Sequence, residues 1–186
     1  MNLQANTYQA SLDAADLIYD AKQLDIGLNN LARQLNIDFA KKNPLVITVM
    51  NGALMTAGHL LPKLTFALEV DYLHATRYDN NCATESIRWL SYPQQPLKKR
   101  HVLLIDDIFD VGTTLKTAAD YCAKQGAYTV RTAVLLDKQH QRKVKDFSVD
   151  YVGLPVEDRY VFGFGLDYNG LYRNAPGIYA VAHSDD

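Results

Sequence analysis

The run from Val102 to Leu136 limits most strongly how this chain can fold. Four apolar residues, Val102 to Ile105, end in two acids. A turn with Gly112 follows, then a helical pattern from Thr113 to Lys124, closed by Gly126, and a further strand from Thr129 to Leu136. Strand, turn, helix and strand in this order form a βαβ unit, and such units build parallel sheets. The expected class is therefore α/β.

With 186 residues, the chain has room for one domain with a sizeable core. Hydrophobic residues make up 48% and charged residues 22%, a balance that excludes a disordered chain. A net charge of -2 leaves no basic excess for a nucleic-acid backbone, so no nucleic-acid partner is expected. No apolar run reaches the length of a membrane span, so no membrane association is expected. Met1 to Gln23 carries Asp13, Asp16 and Asp20 and lacks the basic start and apolar run of a signal peptide. Cys82 and Cys122 form no metal spacing and suit a reducing compartment. The expected location is the cytoplasm.

Leu24, Leu28, Leu31 and Leu35 recur at helical spacing within an N-terminal helical region of about residues 1–43. Lys41-Lys42-Asn43-Pro44 stops that helix, and Leu45 to Met50 reads as a buried strand. Asn51-Gly52 marks a turn before a second apolar stretch, Ala53 to Leu64. Glu69 to Thr76 reads as another strand. The polar stretch from Arg77 to Glu85 has little periodicity and is the candidate for a mobile lid, about residues 77–92.

Ligands of an open parallel sheet bind beyond the carboxyl ends of its strands, which is where Asp106-Asp107-Ile108-Phe109-Asp110-Val111-Gly112-Thr113-Thr114 falls. Three carboxylates this close repel one another, and beside a buried strand they need hydroxyls, a cation or amides as compensation. Gly112 permits a tight turn. Thr113 and Thr114 put hydroxyls at a helix start, whose amides and dipole favour an anion. Adjacent carboxylates accept from a vicinal diol while the turn holds a phosphate, and a ribose 5-phosphate has both groups. The plainer alternative is helix capping, but a cap needs one acid, not three.

The segment Val102 to Leu115 resembles the phosphoribosyl diphosphate (PRPP) binding motif of the type I phosphoribosyltransferases. Four further stretches follow in the order seen in hypoxanthine-guanine phosphoribosyltransferases: Leu135-Leu136-Asp137-Lys138, Asp150-Tyr151-Val152-Gly153, Asp158 through Tyr168, and Tyr172-Arg173-Asn174. The resemblance runs from about Leu45 to the C-terminus. It implies the type I phosphoribosyltransferase fold, a central, mostly parallel sheet flanked by helices with a small hood. It also implies purine salvage: transfer of phosphoribosyl from PRPP to hypoxanthine or guanine, giving IMP or GMP and diphosphate. Expected partners are PRPP, 6-oxopurine bases, purine nucleoside monophosphates and diphosphate, with Mg2+ as cofactor and a homodimer or homotetramer as assembly.

By that resemblance, Asp106 and Asp107 hold the ribose hydroxyls, and Val111, Gly112, Thr113 and Thr114 wrap the 5-phosphate. Asp110 manages the N7 proton of the purine. Lys138 donates to the 6-oxo group, an acceptor that adenine lacks. Ile108, Tyr151, Val152 and Asp158 complete the purine site, with Tyr151 stacking on the ring, and Asp106, Asp107 and Asp158 lie near the metal. Asn51, Gly52, Arg77, Tyr78 and Arg173 face the diphosphate, for which a guanidinium fork is well shaped. Without the resemblance, Lys138 reads as a surface lysine and Tyr151 as a core or rim residue. Asn51 stands where the family commonly has a basic residue, and Arg77-Tyr78 where it usually has Ser-Tyr.

His59, His74, His101, His140 and His183 show no metal spacing and no nucleophile partner, and read as structural. One alternative is a nucleotide-sensing regulator on the same fold that contacts RNA, for which the chain shows no basic stripe. A phosphatase using two aspartates separated by one residue does not match Asp106-Asp107-Ile108.

Overall fold

In the computed structural model, which describes residues 5–79 and 82–181, the chain begins with α1 (Ala5–Asp13), β1 (Asp16–Tyr19), α2 (Ala21–Phe39) and β2 (Leu45–Met50). It continues through α3 (Leu54–Leu60), a 3-10 turn (Leu61–Lys63), β3 (Glu69–Asp79), β4 (Cys82–Ser91), β5 (His101–Phe109) and α4 (Thr113–Lys124). The last elements are β6 (Thr129–Lys138), β7 (Tyr151–Val156), β8 (Val161–Phe162) and β9 (Ile178–Ala180). Side chains of residues 76–86 lie outside the described part of the chain.

The expected βαβ unit is present: β5, α4 and β6 follow one another, and β5 pairs in parallel with β6. The main sheet has the order β4-β3-β2-β5-β6-β7, with only the edge strand β4 antiparallel. One face is covered by α2 and α3: Leu24, Leu28, Leu31 and Leu35 pack with Val46, Leu103, Ile105 and Leu135. On the other, Leu115, Ala118 and Cys122 of α4 meet Ile47, Leu104 and Val134. Strands buried on both faces need continuous apolar runs, as Leu45–Met50 and Val102–Ile105 supply. Burial in this second core pushes the Cys122 thiol up to about 12.

Asp20 starts α2 with a capping box. Its carboxylate accepts the Gln23 N–H at 2.8 Å, and Gln23 Oε1 accepts the Asp20 N–H at 2.9 Å. Such caps contribute roughly 1 kcal/mol.

Two expectations change. The N-terminal region of about residues 1–43 is not helical throughout, because β1 lies between α1 and α2 and pairs with β9. Together β1, β9 and β8 form a second, antiparallel sheet, the small hood. Arg77 to Glu85 reads as a polar loop within the expected lid of about residues 77–92, yet most of that stretch belongs to the paired strands β3 and β4. Ile87 and Trp89 face the core while Arg88 and Leu90 are exposed, an alternation fit for a half-buried edge strand. Register shifts between His74 and Ala75, and between Thr76 and Tyr78, interrupt the pattern and hide it from a reading of periodicity.

Candidate active site

The crevice lies where the strand order reverses. From β2 the chain crosses to β3 on one side, and from β5 it crosses to β6 on the other. Strands β2 and β5 pair from Leu45–Val102 to Thr48–Ile105 and then part, while β5 continues along β6 to Phe109. Asp106 and Asp107 are thus the first residues of β5 without a β2 partner, at a topological switch point.

The parting strands border a cavity of about 360 Å3. Its wall brings together Asp106, Asp107, Ile108, Asp110, the turn Val111 to Thr114, Gly52 and Arg173, all expected from the sequence. Asn51 adjoins Gly52 and is exposed. The side chains of Arg77 and Tyr78 are outside the described residues.

Two glycines are required by this geometry. Gly112 has φ +87°, and a Cβ there would lie 2.1 Å from the Phe109 ring. A Cβ on Gly52 would lie 2.0 Å from Asp107 Oδ2, so only glycine lets the turn after β2 approach the acids. The α4 ladder begins with Lys116 N–H donating to the Gly112 carbonyl at 2.9 Å. Amides earlier in a helix's first turn have no carbonyl within its ladder, which makes a helix start a natural phosphate seat.

Asp106 is buried, and its carboxyl is pushed well above the usual range, first by burial and then by the charge of Asp107. Burial also raises Asp107, against the pull of hydrogen bonds and of Arg173. Asp106 Oδ1 accepts the Asp107 N–H at 3.0 Å, and Asp107 Oδ1 accepts the Ile108 N–H at 2.7 Å. A hydrogen bond between the two carboxyls and these two amides offset the cost of two buried charges only in part, so the wall favours diol hydroxyls or a cation.

A second cavity of about 300 Å3 adjoins the first, sharing Asp107, Ile108, Asp110 and Asp167 with it. Its other lining residues are Lys138, Tyr160, Val161 and Leu166. Lys138 Nζ lies 3.1 Å from Asp110 Oδ2, and His140 Nε2 lies 2.6 Å from Asp110 Oδ1. Burial raises the Asp110 carboxyl, but hydrogen bonds from His140 and Lys138 outweigh it and hold the group below its ordinary value.

Three expected purine-site residues are elsewhere. Tyr151 opens β7 at the strand's amino end, packs beside Phe39 and donates its hydroxyl to Asp38 Oδ2 at 2.6 Å. Val152 pairs with Val134 and packs into the α4-side core. Neither lines the cavity. Asp158 is exposed and held by the two terminal guanidinium nitrogens of Arg142, at 2.8 and 2.7 Å. The positions at the cavity are Tyr160, Val161 and Asp167, which follow the carboxyl end of β7. Asp167 accepts from Arg173 at 2.6 Å, and Arg173 also donates to the Gly165 carbonyl at 2.6 Å. The signal for Asp167 was its place after the glycine pair Gly163 and Gly165. His140 carried no local signal.

A switch-point crevice with paired acids, a glycine turn into a helix and an adjoining lysine-aspartate wall defines a sugar-phosphate enzyme of the parallel α/β class. Residues 14–169 match the phosphoribosyl transferase domain. The hypoxanthine-guanine-xanthine phosphoribosyltransferase of Tritrichomonas foetus is 31% identical over 89% of this chain and 91% of its own. The hypoxanthine-guanine phosphoribosyltransferase of Streptococcus pneumoniae is 30% identical over 89% and 92%. Among solved structures, a hypoxanthine-guanine-xanthine phosphoribosyltransferase superposes with TM-score 0.83 at 29% identity, covering 92% of this chain and 99% of that one. A hypoxanthine phosphoribosyltransferase of Staphylococcus aureus gives 0.85 at 26%, covering 96% and 97%. The chain belongs to the phosphoribosyl transferase family, among its hypoxanthine-guanine phosphoribosyltransferases.

Proposed function

We propose that the chain transfers the 5-phosphoribosyl group of PRPP to a 6-oxopurine, hypoxanthine or guanine, giving IMP or GMP and diphosphate. The observation that carries this reading is the pair Lys138 and Asp110, joined at 3.1 Å in a cavity that adjoins the one lined by the phosphate turn.

In the reaction, the bond from C1 of the ribose to the diphosphate oxygen breaks, with its electron pair leaving on diphosphate. The bond from C1 to the purine nitrogen forms, and the purine loses one proton. Val111 to Thr114 seat the 5-phosphate. Asp106 and Asp107 take the ribose hydroxyls and stabilise positive charge on the sugar. Arg173 faces the diphosphate. Asp110 receives the N7 proton, and the Lys138 ammonium donates to the 6-oxo group. Ile108, Tyr160 and Val161 hold the ring, in place of Tyr151 and Val152.

Magnesium fits the charge of this wall: Asp106, Asp107 and Asp167 offer hard oxygen ligands. Among the described residues, no three His, Cys, Asp or Glu side chains converge as a metal cage. Magnesium commonly binds through one or two carboxylates plus substrate phosphates, and its chemistry here is to neutralise the leaving diphosphate. Asp158, which lines neither cavity, is not among the proposed ligands.

No helix among the described residues is long and apolar enough to cross a membrane. The proposed setting is the cytoplasm, in keeping with the unpaired, buried Cys122. A homodimer or homotetramer is the proposed assembly, with Val70, Tyr72 and Leu90 exposed on the outer strands. Light scattering would report the mass.

The test is an ultraviolet assay of the protein with PRPP, Mg2+ and each of hypoxanthine, guanine, xanthine and adenine. Nucleotide from hypoxanthine or guanine and little from adenine is expected. No nucleotide from any base would overturn the proposal.

A further inference from the structure

Asp110 is held from two sides by residues that follow it by about thirty positions in the chain. Lys138 is the last residue of β6, and His140 lies in the loop just beyond. That loop is tied down at both ends: Gln139 N–H donates to the Val156 carbonyl and Val144 N–H to the Val111 carbonyl, each at 2.8 Å. The His140 side chain is only 3% exposed, whereas the Asp110 side chain is 43% exposed.

The partners of the ring assign its protons. Arg142 N–H donates to His140 Nδ1 at 3.0 Å, so Nδ1 is an acceptor without hydrogen. The hydrogen is therefore on Nε2, which donates to Asp110 Oδ1 at 2.6 Å. In this tautomer the imidazole has no lone pair free to receive a proton: one is taken by Arg142 and the other nitrogen is already protonated.

We propose that His140 is a positioning residue for phosphoribosyl transfer, a fixed Nε2–H donor that keeps the Asp110 carboxylate aimed at the purine nitrogen while Lys138 turns to the 6-oxo group. The inference rests on the purine-transfer reading above and deepens it. Lys138 has two claims on its ammonium, the carboxylate and the base. A lysine is also a flexible point charge that does not fix the plane of a carboxylate. His140 does so, because its own ring is buried and pinned at Nδ1. The same bonding excludes a relay in which His140 carries the purine proton to solvent.

The other groups around this pair are already engaged. Arg142 is bound to Asp158, and Lys143 is paired with Asp137. Neither guanidinium nor ammonium is directed at Asp110 in place of the imidazole.

The test compares the full-length wild type with His140→Gln, whose amide can still donate, and His140→Leu, which cannot. Turnover with hypoxanthine, PRPP affinity and melting temperature are measured for each. His140→Leu should lose roughly ten- to hundredfold in kcat, the scale of a misplaced reacting group, while PRPP affinity holds within about twofold. His140→Gln should recover most of that turnover. Wild-type kcat in His140→Leu would overturn the proposal, as would equal losses in both variants, or loss of PRPP affinity in place of turnover. A long-range 1H-15N spectrum of the wild type should show protonated Nε2 and bare Nδ1 on His140. A protonated Nδ1 overturns the clamp whether or not the chain forms IMP, so an inactive wild type would sink the transfer reading separately.

Discussion

Lys138 Nζ at the end of β6 lies 3.1 Å from Asp110 Oδ2 in the turn after β5, so two parallel strands deliver an ammonium and a carboxylate to one wall. Neither residue belongs to the phosphate turn itself. Asp110→Ala should therefore lower kcat by roughly a hundredfold to ten-thousandfold, the worth of general acid-base help. PRPP affinity, measured by calorimetry, should stay within a few-fold. Unchanged turnover would remove Asp110 from the chemistry.

The two Tyr-Val pairs separate site from core. Tyr160→Ala should raise the KM for hypoxanthine roughly tenfold or more, because base-aromatic stacking is worth about 1–3 kcal/mol. Tyr151→Phe should leave that KM unchanged. It removes a hydroxyl donated to Asp38 and should lower stability in urea unfolding by about 1 kcal/mol. The opposite pattern would return the purine to Tyr151.

These pairs also show what the sequence could not resolve. Tyr151-Val152 and Tyr160-Val161 are the same dipeptide, each close to an acid, and local pattern does not say which stands at the carboxyl end of a strand. The strand direction decides it: Tyr151 opens β7, and Tyr160 follows that strand's end. Val102 to Thr114 was legible because strand, acids, glycine turn and helix are contiguous, and each residue type states its own need. Asp110 with His140 was not, since thirty positions separate them and a lone histidine carries no period. The resemblance implied a small hood, but the residues alone did not say which strands form it, because β1 and β9 are short strands from opposite ends of the chain.

Asp106→Asn trades function for stability. In the wild type, a buried carboxylate must be held beside Asp107, and burial and that neighbour both oppose its charge. An amide of the same shape keeps an acceptor for the Asp107 N–H and removes the repulsion. Melting temperature at neutral pH should rise by a few degrees. PRPP affinity should fall about tenfold or more, as a charge-assisted acceptor for the ribose is lost. A lower melting temperature would contradict the reading of this pair as electrostatically strained.

Gly112→Ala places a methyl group against the Phe109 ring on a backbone with positive φ. The expected cost is about 1–3 kcal/mol of stability, measured by chemical denaturation. Phosphate-bearing ligands should weaken more than free hypoxanthine, since the turn shapes their seat. Equal weakening of both would argue against that division of labour.

Phosphate and purine are assigned to two adjoining cavities, the first at the turn Val111 to Thr114 and the second at Lys138 and Tyr160. A crystal structure with IMP tests this assignment most directly. The phosphate is expected on the turn Val111 to Thr114, with the base between Ile108 and Tyr160 and its 6-oxo group at Lys138. A phosphate seated elsewhere, or a base lying against Tyr151, would contradict the account.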